Sequence, residues 1–475
     1  MNMMLIGRVN EQNKLREAFE SNQSEFIAVY GRRRIGKTYL IRETFHHAFT
    51  FTHTGLAKRN TREQLQNFLF SLRDQGMKKA TLPSNWLEAF NLLSMLIKES
   101  KDKRKVIFID ELPWMDAQGS SFLSAIEHFW NSFASARKDV VLIVCGSATS
   151  WIINKIVKNR EGLHNRLTLR IHLQPFTLNE CEQYAKKLRL GLNRHQLLET
   201  YMILGGIPYY WSLLSKEKSL SQNIDSLFFE RNGELRGEFS ELYASLFKYP
   251  DKYTAIIETL GKKKAGMTRS EIVKESKIPY NGQISTILDD LENCGFIRKY
   301  TSIGKKTKDS VFQLIDQYTL FYFKFIQNNP VNDENFWSKS INKPIYNNWT
   351  GLAFERLCLL HSRQIKEALG ISGIISSEYS WKVDGTADES GAQIDLLIDR
   401  SDGVINLCEI KFSKTAFRIT KSYNSDLQRK RMRFIEATHT KKAVHITMIT
   451  SEGLVRNSYS DEILSQVTAD ALFRP

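Results

Sequence analysis

The stretch Gly31-Arg-Arg-Arg-Ile-Gly-Lys-Thr38 directly follows the apolar run FIAVY and precedes the helical run YLIRETF. It matches the pattern GxxxxGK[ST] of a phosphate-binding loop, in which glycines let backbone N–H groups face the phosphates. This strand and helix context disfavours the alternative of a basic turn that contains glycine. We predict an ATP site in which Lys37 reaches the β and γ phosphates and Thr38 offers its hydroxyl to Mg²⁺. The expected nucleotide-binding residues are Gly31, Arg32, Arg33, Arg34, Ile35, Gly36, Lys37 and Thr38.

Two further apolar runs end in polar residues that suit the same site. The run Val106 to Asp110 reads as a buried strand whose carboxylates, Asp110 and Glu111, stand at its exposed tip. We expect Asp110 to hold Mg²⁺ through water and Glu111 to orient or deprotonate the attacking water. Ser147 follows the run VVLIVC and is a candidate sensor of the γ-phosphate. A small residue that permits a tight turn is the equal alternative there.

Length and charge restrict the class of protein. A chain of 475 residues is expected to form roughly three or four domains. The net charge of +15 favours polyanionic partners, DNA first among them. The absence of a long apolar stretch or a signal peptide predicts a cytoplasmic protein that does not enter a membrane. The five cysteines show no CxxC spacing, which suits a reducing compartment and predicts packing residues.

The periodicity of apolar residues divides the chain into segments. Residues 1–174 alternate apolar runs with helical stretches, as a parallel sheet covered by helices does. Residues 175–252 show helical spacing only. The order helix, helix, helix, strand, strand within residues 253–330 is typical of a winged helix-turn-helix. Residues 331–475 carry a long helix from near Trp349 and three strand-like runs, so we expect a second α/β domain.

The predicted winged helix has features for and against DNA contact. Its third helix, QISTILDDLENC, is the expected recognition helix, and the turn GKKTKD is the expected wing tip. Wing lysines attract phosphates, whereas acids in the helix repel them, and winged helices also bind proteins. DNA and protein therefore both remain open as its partner. The lysines are Lys305, Lys306 and Lys308, and the acids are Asp289, Asp290 and Glu292.

A second group of charged residues lies near the end of the chain. Asp395 is in the run AQIDLLID, and Glu409 and Lys411 are in the run LCEIKF. A hairpin of these runs would bring two carboxylates and a lysine to one edge, because alternate residues of a strand share a face. Such an oxygen-rich site suits Mg²⁺, with Asp395 and Glu409 as ligands, and the ammonium suits a phosphodiester. Glu355, on the preceding helix, is a candidate third acid.

Basic residues concentrate directly after this group. Residues 411–442 contain ten Lys or Arg and two acids, so their net charge is 10 − 2 = +8. This is over half of the surplus of the whole chain. A positive stretch of this density attracts a phosphate backbone. We therefore expect DNA to contact the C-terminal segment.

The motifs GRRRIGKT, FIDELPW, CGSATSW and LGGIPYYW resemble those of the archaeal-type AAA+ ATPases. The resemblance implies a P-loop AAA+ core with a helical lid and assembly into a homo-oligomer. In AAA+ proteins an Arg at the start of the last core strand commonly reaches the nucleotide of a neighbouring subunit. Arg166 is at the matching place, and Arg170 is the second candidate. An ordinary surface arginine is the open alternative.

The order helix Glu, strand Asp, strand ExK resembles the PD-(D/E)XK nuclease superfamily, although Ile394 replaces the usual proline. The resemblance implies a restriction-endonuclease-like α/β domain in which Glu355, Asp395, Glu409 and Lys411 serve cleavage. We expect an ATPase that acts on DNA with a Mg²⁺-dependent nuclease-like domain regulated by nucleotide. The alternative is a regulatory or signalling ATPase whose inactive nuclease fold binds protein or DNA. A transcription regulator that holds DNA without cutting it is a third hypothesis.

Overall fold

A computed structural model of the chain describes most of its residues. The side chains of Thr149 and Asp395 are outside this description. The described part divides into two units, the first comprising Met1–Gln174 with Ser245–Phe247 and the second the remainder. The described ranges are 5–147, 149–157, 165–278, 282–301, 303, 310–327, 333–385 and 390–475.

The apolar runs of the first unit form a parallel sheet. Its strands are β1 (Glu25–Tyr30), β2 (Phe51–Thr54), β3 (Lys105–Asp110), β4 (Val140–Gly146) and β5 (Leu169–His172). Their order in the sheet is β2-β3-β4-β1-β5, and each neighbouring pair is parallel. Strands β1, β3 and β4 are buried along their whole length, as strands covered on both faces are. The prediction of a parallel α/β core is confirmed.

Helices connect these parallel strands because a parallel pair needs a crossover. Aromatic side chains from the helices pack on the sheet, where Phe68, Trp86 and Phe122 are completely or almost completely buried. The helices are α1 (Val9–Glu20), α2 (Lys37–Thr44), α3 (Thr61–Asp74), α4 (Trp86–Glu99), α5 (Phe122–Phe129) and α6 (Thr149–Ile152).

The second unit begins with the helices that the spacing predicts. They are α7 (Leu178–Leu188), α8 (Arg194–Leu204), α9 (Pro208–Ser212), α10 (Leu220–Ile224) and α11 (Glu238–Leu246). Two glycines separate α8 from α9. The carbonyl of Gly206 accepts a hydrogen bond of 2.6 Å from the Phe176 amide, and a Cβ at Gly206 would lie 2.0 Å from the Phe176 carbonyl oxygen. Only glycine permits this approach of two backbones.

A small antiparallel sheet follows, with helices before it. The helices are α12 (Pro250–Gly261), α13 (Arg269–Ser276) and α14 (Gly282–Asn293). The strands are β6 (Met267–Thr268), β7 (Ile297–Tyr300) and β8 (Val311–Leu314), in the order β6-β8-β7. The helices and the two longer strands lie where the sequence predicts them. The predicted wing tip, with Lys305, Lys306 and Lys308, lies outside the described residues.

The chain ends in a mixed sheet with the order β13-β12-β11-β10-β9. The two strands of the predicted hairpin, β10 and β11, pair antiparallel, as do β9 and β10, while β11, β12 and β13 run parallel. The sequence predicted only the three central strands, and the edge strands β9 and β13 were missed. The strands are β9 (Ser376–Val383), β10 (Ala392–Arg400), β11 (Val404–Lys411), β12 (Ala443–Thr450) and β13 (Ser465–Thr468).

Helices pack on this sheet and connect it to the preceding segment. The long helix predicted to begin near Trp349 begins five residues earlier, at Pro344, because proline is favoured in the first turn of a helix. The helices are α15 (Gln317–Phe321), α16 (Phe336–Ser340), α17 (Pro344–Leu360), α18 (Ser362–Ala368) and α19 (Lys421–Thr438). Helix α19 provides the crossover between the parallel strands β11 and β12.

Two general expectations can be compared with the described residues. All five cysteines are buried free thiols, as packing residues are. No helix in the described ranges has both the length and the apolar character needed to cross a bilayer.

Replacing Gly206 by alanine should destabilise the second unit. The new Cβ meets backbone atoms of Phe176, which no side-chain rotation relieves, so we expect the free energy of unfolding to fall by about 1–3 kcal/mol or more. Gly351 provides the control, because a Cβ in this position of α17 meets nothing within 4 Å. Gly351→Ala should gain about 0.5–1 kcal/mol. Urea unfolding compares the two variants, and equal stability of both would contradict the account.

Candidate functional site

Residues 31–38 bend sharply between β1 and α2. Gly31 and Gly36 have φ values of 149° and 88°, which favour glycine. At Gly31 a Cβ would also lie 2.4 Å from the Leu173 carbonyl oxygen and 2.6 Å from Cδ1 of Ile35. The two glycines are therefore required by the backbone path and by close packing.

Lys37 lies inside this bend and is almost completely buried. Its ammonium donates hydrogen bonds to the carbonyl oxygens of Gly31 at 3.0 Å and Arg32 at 2.9 Å. A buried charge requires such partners, and backbone carbonyls provide weaker partners than anions do. The arrangement keeps the ammonium within the loop, where a phosphate oxygen would be a stronger partner.

Thr38 and Asp110 connect the loop to the end of β3. The Thr38 hydroxyl donates a hydrogen bond of 2.7 Å to Oδ2 of Asp110, and Oδ1 accepts one of 2.9 Å from the Glu111 amide. The Asp110 side chain is buried. A hydroxyl and a carboxylate at this separation are the hard oxygen donors that Mg²⁺ takes, with waters filling the other positions. The residues present therefore fit a magnesium ion at a bound phosphate.

Glu111 and Ser147 meet beside this pair. Glu111 has a left-handed backbone with φ of 48°, which is unusual for a residue other than glycine. The Ser147 hydroxyl donates a hydrogen bond of 3.0 Å to Oε2 of Glu111. On β4, burial together with the negative charge of Asp110 raises the pKa of the Cys145 thiol. Three strands of one sheet thus place a loop, two acids and a serine at one edge.

Comparison with known proteins identifies this part of the chain. Residues 5–214 match the family model described as an ATPase domain predominantly from Archaea. The N-terminal segment is an archaeal-type ATPase domain. The P-loop and both acids of the ATPase domain lie within the matched range, and nucleotide binding follows from its family.

Other similarities extend beyond the ATPase domain. An uncharacterized protein of Methanocaldococcus jannaschii is 26% identical over 443 residues, which are 90% of this chain and 92% of that protein. The Walker-type ATPase of Pyrococcus abyssi is similar at 17% identity and a TM-score of 0.49, over 68% of this chain and 96% of its own. The ORC2 protein of Aeropyrum pernix is similar at 13% identity and a TM-score of 0.43, over 67% and 93% respectively.

Two arginines were predicted to complete the nucleotide site of a neighbour. Arg166 lies three residues before β5, and Arg170 lies within that strand. Both arginines are exposed. Burial raises the pKa of Tyr30, and the positive charge of Arg170 offsets part of this rise. Their surface positions are those that a contact with a second copy requires, and the role itself stays a prediction.

The second charged group lies at the carboxyl end of β11. The ammonium of Lys411 is 3.1 Å from Oε1 of Glu409, so the two side chains share a face of the strand as expected. Glu409 is buried, with 8% of its surface exposed. The ammonium of Lys411 also lies 5.2 Å from the ring centre of Tyr423.

Helix α19 supplies further partners of Glu409. The Tyr423 hydroxyl donates a hydrogen bond of 3.0 Å to Oε1, and the Lys430 ammonium lies 3.2 Å from Oε1 and 3.1 Å from Oε2. Burial, and then the negative charge of Glu409, raise the pKa of Tyr423. Burial lowers the pKa of Lys430, but Glu409 and Asp426 raise it more, so it lies above its ordinary value. Among the described side chains, the Glu409 carboxylate is therefore paired with the ammonium groups of Lys411 and Lys430.

Asp395 and Glu355 complete the predicted acidic group. The side chain of Asp395 lies outside the described residues. Its strand, β10, pairs Leu396 with Cys408 of β11. Glu355 is half-buried on α17. Burial raises the pKa of the Cys358 thiol most, and the nearby Glu355 and then Cys408 raise it further.

Helix α17 therefore faces the Cys408 side of β11, whereas Glu409 points to α19, since successive side chains alternate. The role of Glu355 in the acidic group stays a prediction. Among the described side chains, no group of three His, Cys, Asp or Glu residues is arranged to hold a metal.

The expectation for the acids of α14 needs one correction. Asp290 was expected to repel a phosphate backbone, but its side chain is buried and accepts a hydrogen bond of 2.6 Å from the Tyr253 hydroxyl. It therefore joins α14 to α12. Glu292 is half-buried, and burial raises the pKa of its carboxyl. Asp289 is exposed and still opposes phosphate at this surface.

Sequence reasoning missed Tyr423, Asp426 and Lys430 as partners of the acidic group. Their spacing of i, i+3 and i+7 places them along one face of α19. That face turns towards β11, because Leu427 and Phe434 of the same helix are completely buried. A helical projection of the basic stretch would have shown polar groups beside its apolar stripe.

Replacing Lys37 by alanine should abolish ATP turnover. The variant loses the ammonium that reaches the phosphates, so we expect the rate of phosphate release to fall by about 10²-fold or more. Lys103→Ala is the matched control, because Lys103 is exposed before β3. Its turnover should equal that of the unaltered chain. Turnover by Lys37→Ala at the unaltered rate would contradict the assignment of the loop.

Proposed function

We propose that the chain couples ATP hydrolysis in its N-terminal domain to Mg²⁺-dependent cleavage of DNA in its C-terminal domain. The observation that carries the nuclease half is the pairing of Glu409 with Lys411 at the end of a buried strand. The proposed domains are an AAA+ core at 1–174, a helical lid at 175–252, a winged helix at 253–330 and a PD-(D/E)XK nuclease-like domain at 331–475.

In the ATPase half, Thr38 and Asp110 would hold Mg²⁺, which supplies positive charge to neutralise the phosphates. Lys37 would exchange its carbonyl partners for β and γ phosphate oxygens. Glu111 would orient the attacking water, and Ser147 holds the Glu111 carboxylate at 3.0 Å before it does so. The serine thus connects the position of the acid to the edge where the γ-phosphate would lie.

In a homo-oligomer, an arginine of one copy would complete the nucleotide site of the next. Arg166 is exposed three residues before β5, and this position supports such a contact. A guanidinium delivered there would stabilise the charge of the transferring phosphoryl group. ATP turnover per copy should therefore rise with protein concentration.

In the nuclease half, Asp395 and Glu409 would hold Mg²⁺, which polarises a phosphodiester oxygen. Lys411 would place its ammonium beside the scissile phosphate. The order of elements supports this proposal: α17 precedes the antiparallel strands β9 to β11, and α19 then leads to the parallel strand β12. The carboxylate and the lysine end at the same edge of that sheet.

Basic residues next to this edge support DNA as the substrate. Lys414, Arg418 and Lys421 are exposed in the connection from β11 to α19 and at the start of α19. Contacts of this kind neutralise phosphates and carry no sequence information. The winged helix would add further contacts through its wing lysines.

The contact between α8 and the end of β11 supports regulation by nucleotide. The rings of His195 and Phe412 lie with centres 5.1 Å apart, and Phe412 directly follows Lys411. Nδ1 of His195 is also 3.0 Å from Oε1 of Glu452, which lies just beyond β12. A shift of α8 within the proposed lid would therefore move the residues next to Lys411.

One observation favours a binding platform as the second candidate function. Glu409 is held by two ammonium groups, so a ligand at this edge meets net positive charge. Such a site suits a bound phosphate without cleavage. Retention of DNA without strand breaks, by the unaltered chain and by Glu409→Gln alike, would favour this function.

Asp395→Ala and Lys411→Ala should each abolish Mg²⁺-dependent DNA cleavage and leave ATP turnover intact, because they remove a metal ligand and the phosphate-facing ammonium. Agarose gels measure strand breaks, and phosphate release measures turnover. Lys382→Ala is a control on the exposed side of β9 and should cleave normally. Persistent cleavage by purified Asp395→Ala would overturn the nuclease assignment.

His195→Ala should separate the two activities. It removes the ring that contacts Phe412, so we expect cleavage to lose its dependence on nucleotide while ATP turnover continues. His128→Ala is the control, because His128 is exposed on α5. Comparing cleavage with ATP, with ADP and without nucleotide tests this. Unchanged nucleotide dependence in His195→Ala would contradict the proposed route.

A further inference from the structure

The Lys430 ammonium occupies the side of Glu409 that a metal ion would use. It lies 3.2 Å from Oε1 and 3.1 Å from Oε2, so it is shared by both oxygens of the carboxylate. The side chains of Lys430 and Glu409 are only 16% and 10% exposed, so water screens this ion pair weakly. A divalent ion bound to the same oxygens would stand within a few ångströms of the ammonium.

Two like charges at such a distance repel strongly in a buried site. Lys411 already provides one ammonium 3.1 Å from Oε1, and the proposed chemistry needs it there. Lys430 is a second ammonium without a role in that chemistry. Either Lys430 moves when a metal ion binds, or the metal ion binds weakly.

A second position for Lys430 exists on its own helix. Oδ2 of Asp426 lies 3.6 Å from the Lys430 ammonium, one helical turn away. The Asp426 side chain is 37% exposed, so it is more accessible to solvent than the Glu409 side chain. Lysine has a flexible stem and rotatable donors, so a small rotation carries the ammonium from the buried to the exposed carboxylate.

We propose that Lys430 is an internal counter-ion that competes with Mg²⁺ for Glu409, and that Asp426 receives its ammonium when the metal ion binds. This inference rests on the proposed function, because it concerns the metal ion of the nuclease-like site. Lys430 is a positioning residue: it sets the affinity of the site for the ion. The Glu409 carboxylate thereby keeps a counter-ion until the metal ion binds.

Manganese binding to the full chain without nucleotide tests the competition directly. Electron paramagnetic resonance of free Mn²⁺ gives the dissociation constant without any need for cleavage. Lys430→Gln should bind Mn²⁺ about tenfold more tightly or better, since a nearby like charge shifts an ionic equilibrium by roughly one logarithmic unit or more. Lys430→Arg, which keeps the charge, should not gain affinity.

Three further variants complete the test. Asp426→Asn should bind Mn²⁺ more weakly, because the displaced ammonium loses its second partner. Lys382→Gln, exposed on β9, should bind like the unaltered chain. Glu409→Gln should lose the Mn²⁺ that binds at this site. The Mn²⁺ that remains bound is then the part that binds at the P-loop.

Equal Mn²⁺ affinity of Lys430→Gln and the unaltered chain would overturn the competition. If the unaltered chain then still cleaves DNA with Mg²⁺, the proposed function stands and only the competition by Lys430 is rejected. If Glu409→Gln binds Mn²⁺ as the unaltered chain does and no DNA is cleaved, both the competition and the proposed function fall.

Discussion

The hydrogen bond of 2.7 Å between Thr38 and Asp110 joins the P-loop to the acidic end of β3. It depends on the parallel sheet, in which β4 lies between β1 and β3 and all three strands are buried along their length. Because these strands are buried along their length, polar side chains that need solvent or a ligand lie at the strand ends. The first helical turn after β1 and the last residue of β3 therefore meet at one edge, together with Ser147.

The same constraint shapes the C-terminal sheet. Strand β11 is buried except at its first and last residues, and its charges appear near the carboxyl end. The two sites differ in how they satisfy charge before a ligand binds. Lys37 donates to neutral carbonyls, which a phosphate readily replaces, whereas Glu409 is held by full positive charges. In the mechanism that we propose, a cation would have to displace one of these ammonium groups at the second site.

The sequence predicted the elements with strong local signals and missed those with weak ones. The P-loop, the buried strands of the core and the hairpin of β10 and β11 carry long apolar runs or a specific motif. Strands β9 and β13 lie at the edges of their sheet, and their partly exposed polar residues leave no apolar run. Edge strands need only one covered face, so their composition resembles that of loops.

The side-chain contacts of α19 show the same limit. Tyr423 and Lys430 read as members of a basic, solvated helix until the strand beside them is known. Asp290 similarly reads as an exposed acid, although the Tyr253 hydroxyl binds it inside the unit. Which face of a helix is buried depends on its neighbours in space, and the residues of the helix alone give little information on them.

The central claim is that nucleotide at the P-loop controls the C-terminal site. Its most direct test incubates the unaltered chain and Lys37→Ala with linear, circular, single-stranded and branched DNA and Mg²⁺, with ATP, with ADP and without nucleotide. The account predicts cleavage of at least one DNA form by the unaltered chain that changes with the nucleotide, and cleavage by Lys37→Ala that does not respond to it. Cleavage of no form under any condition, or an identical response in both proteins, would contradict the account.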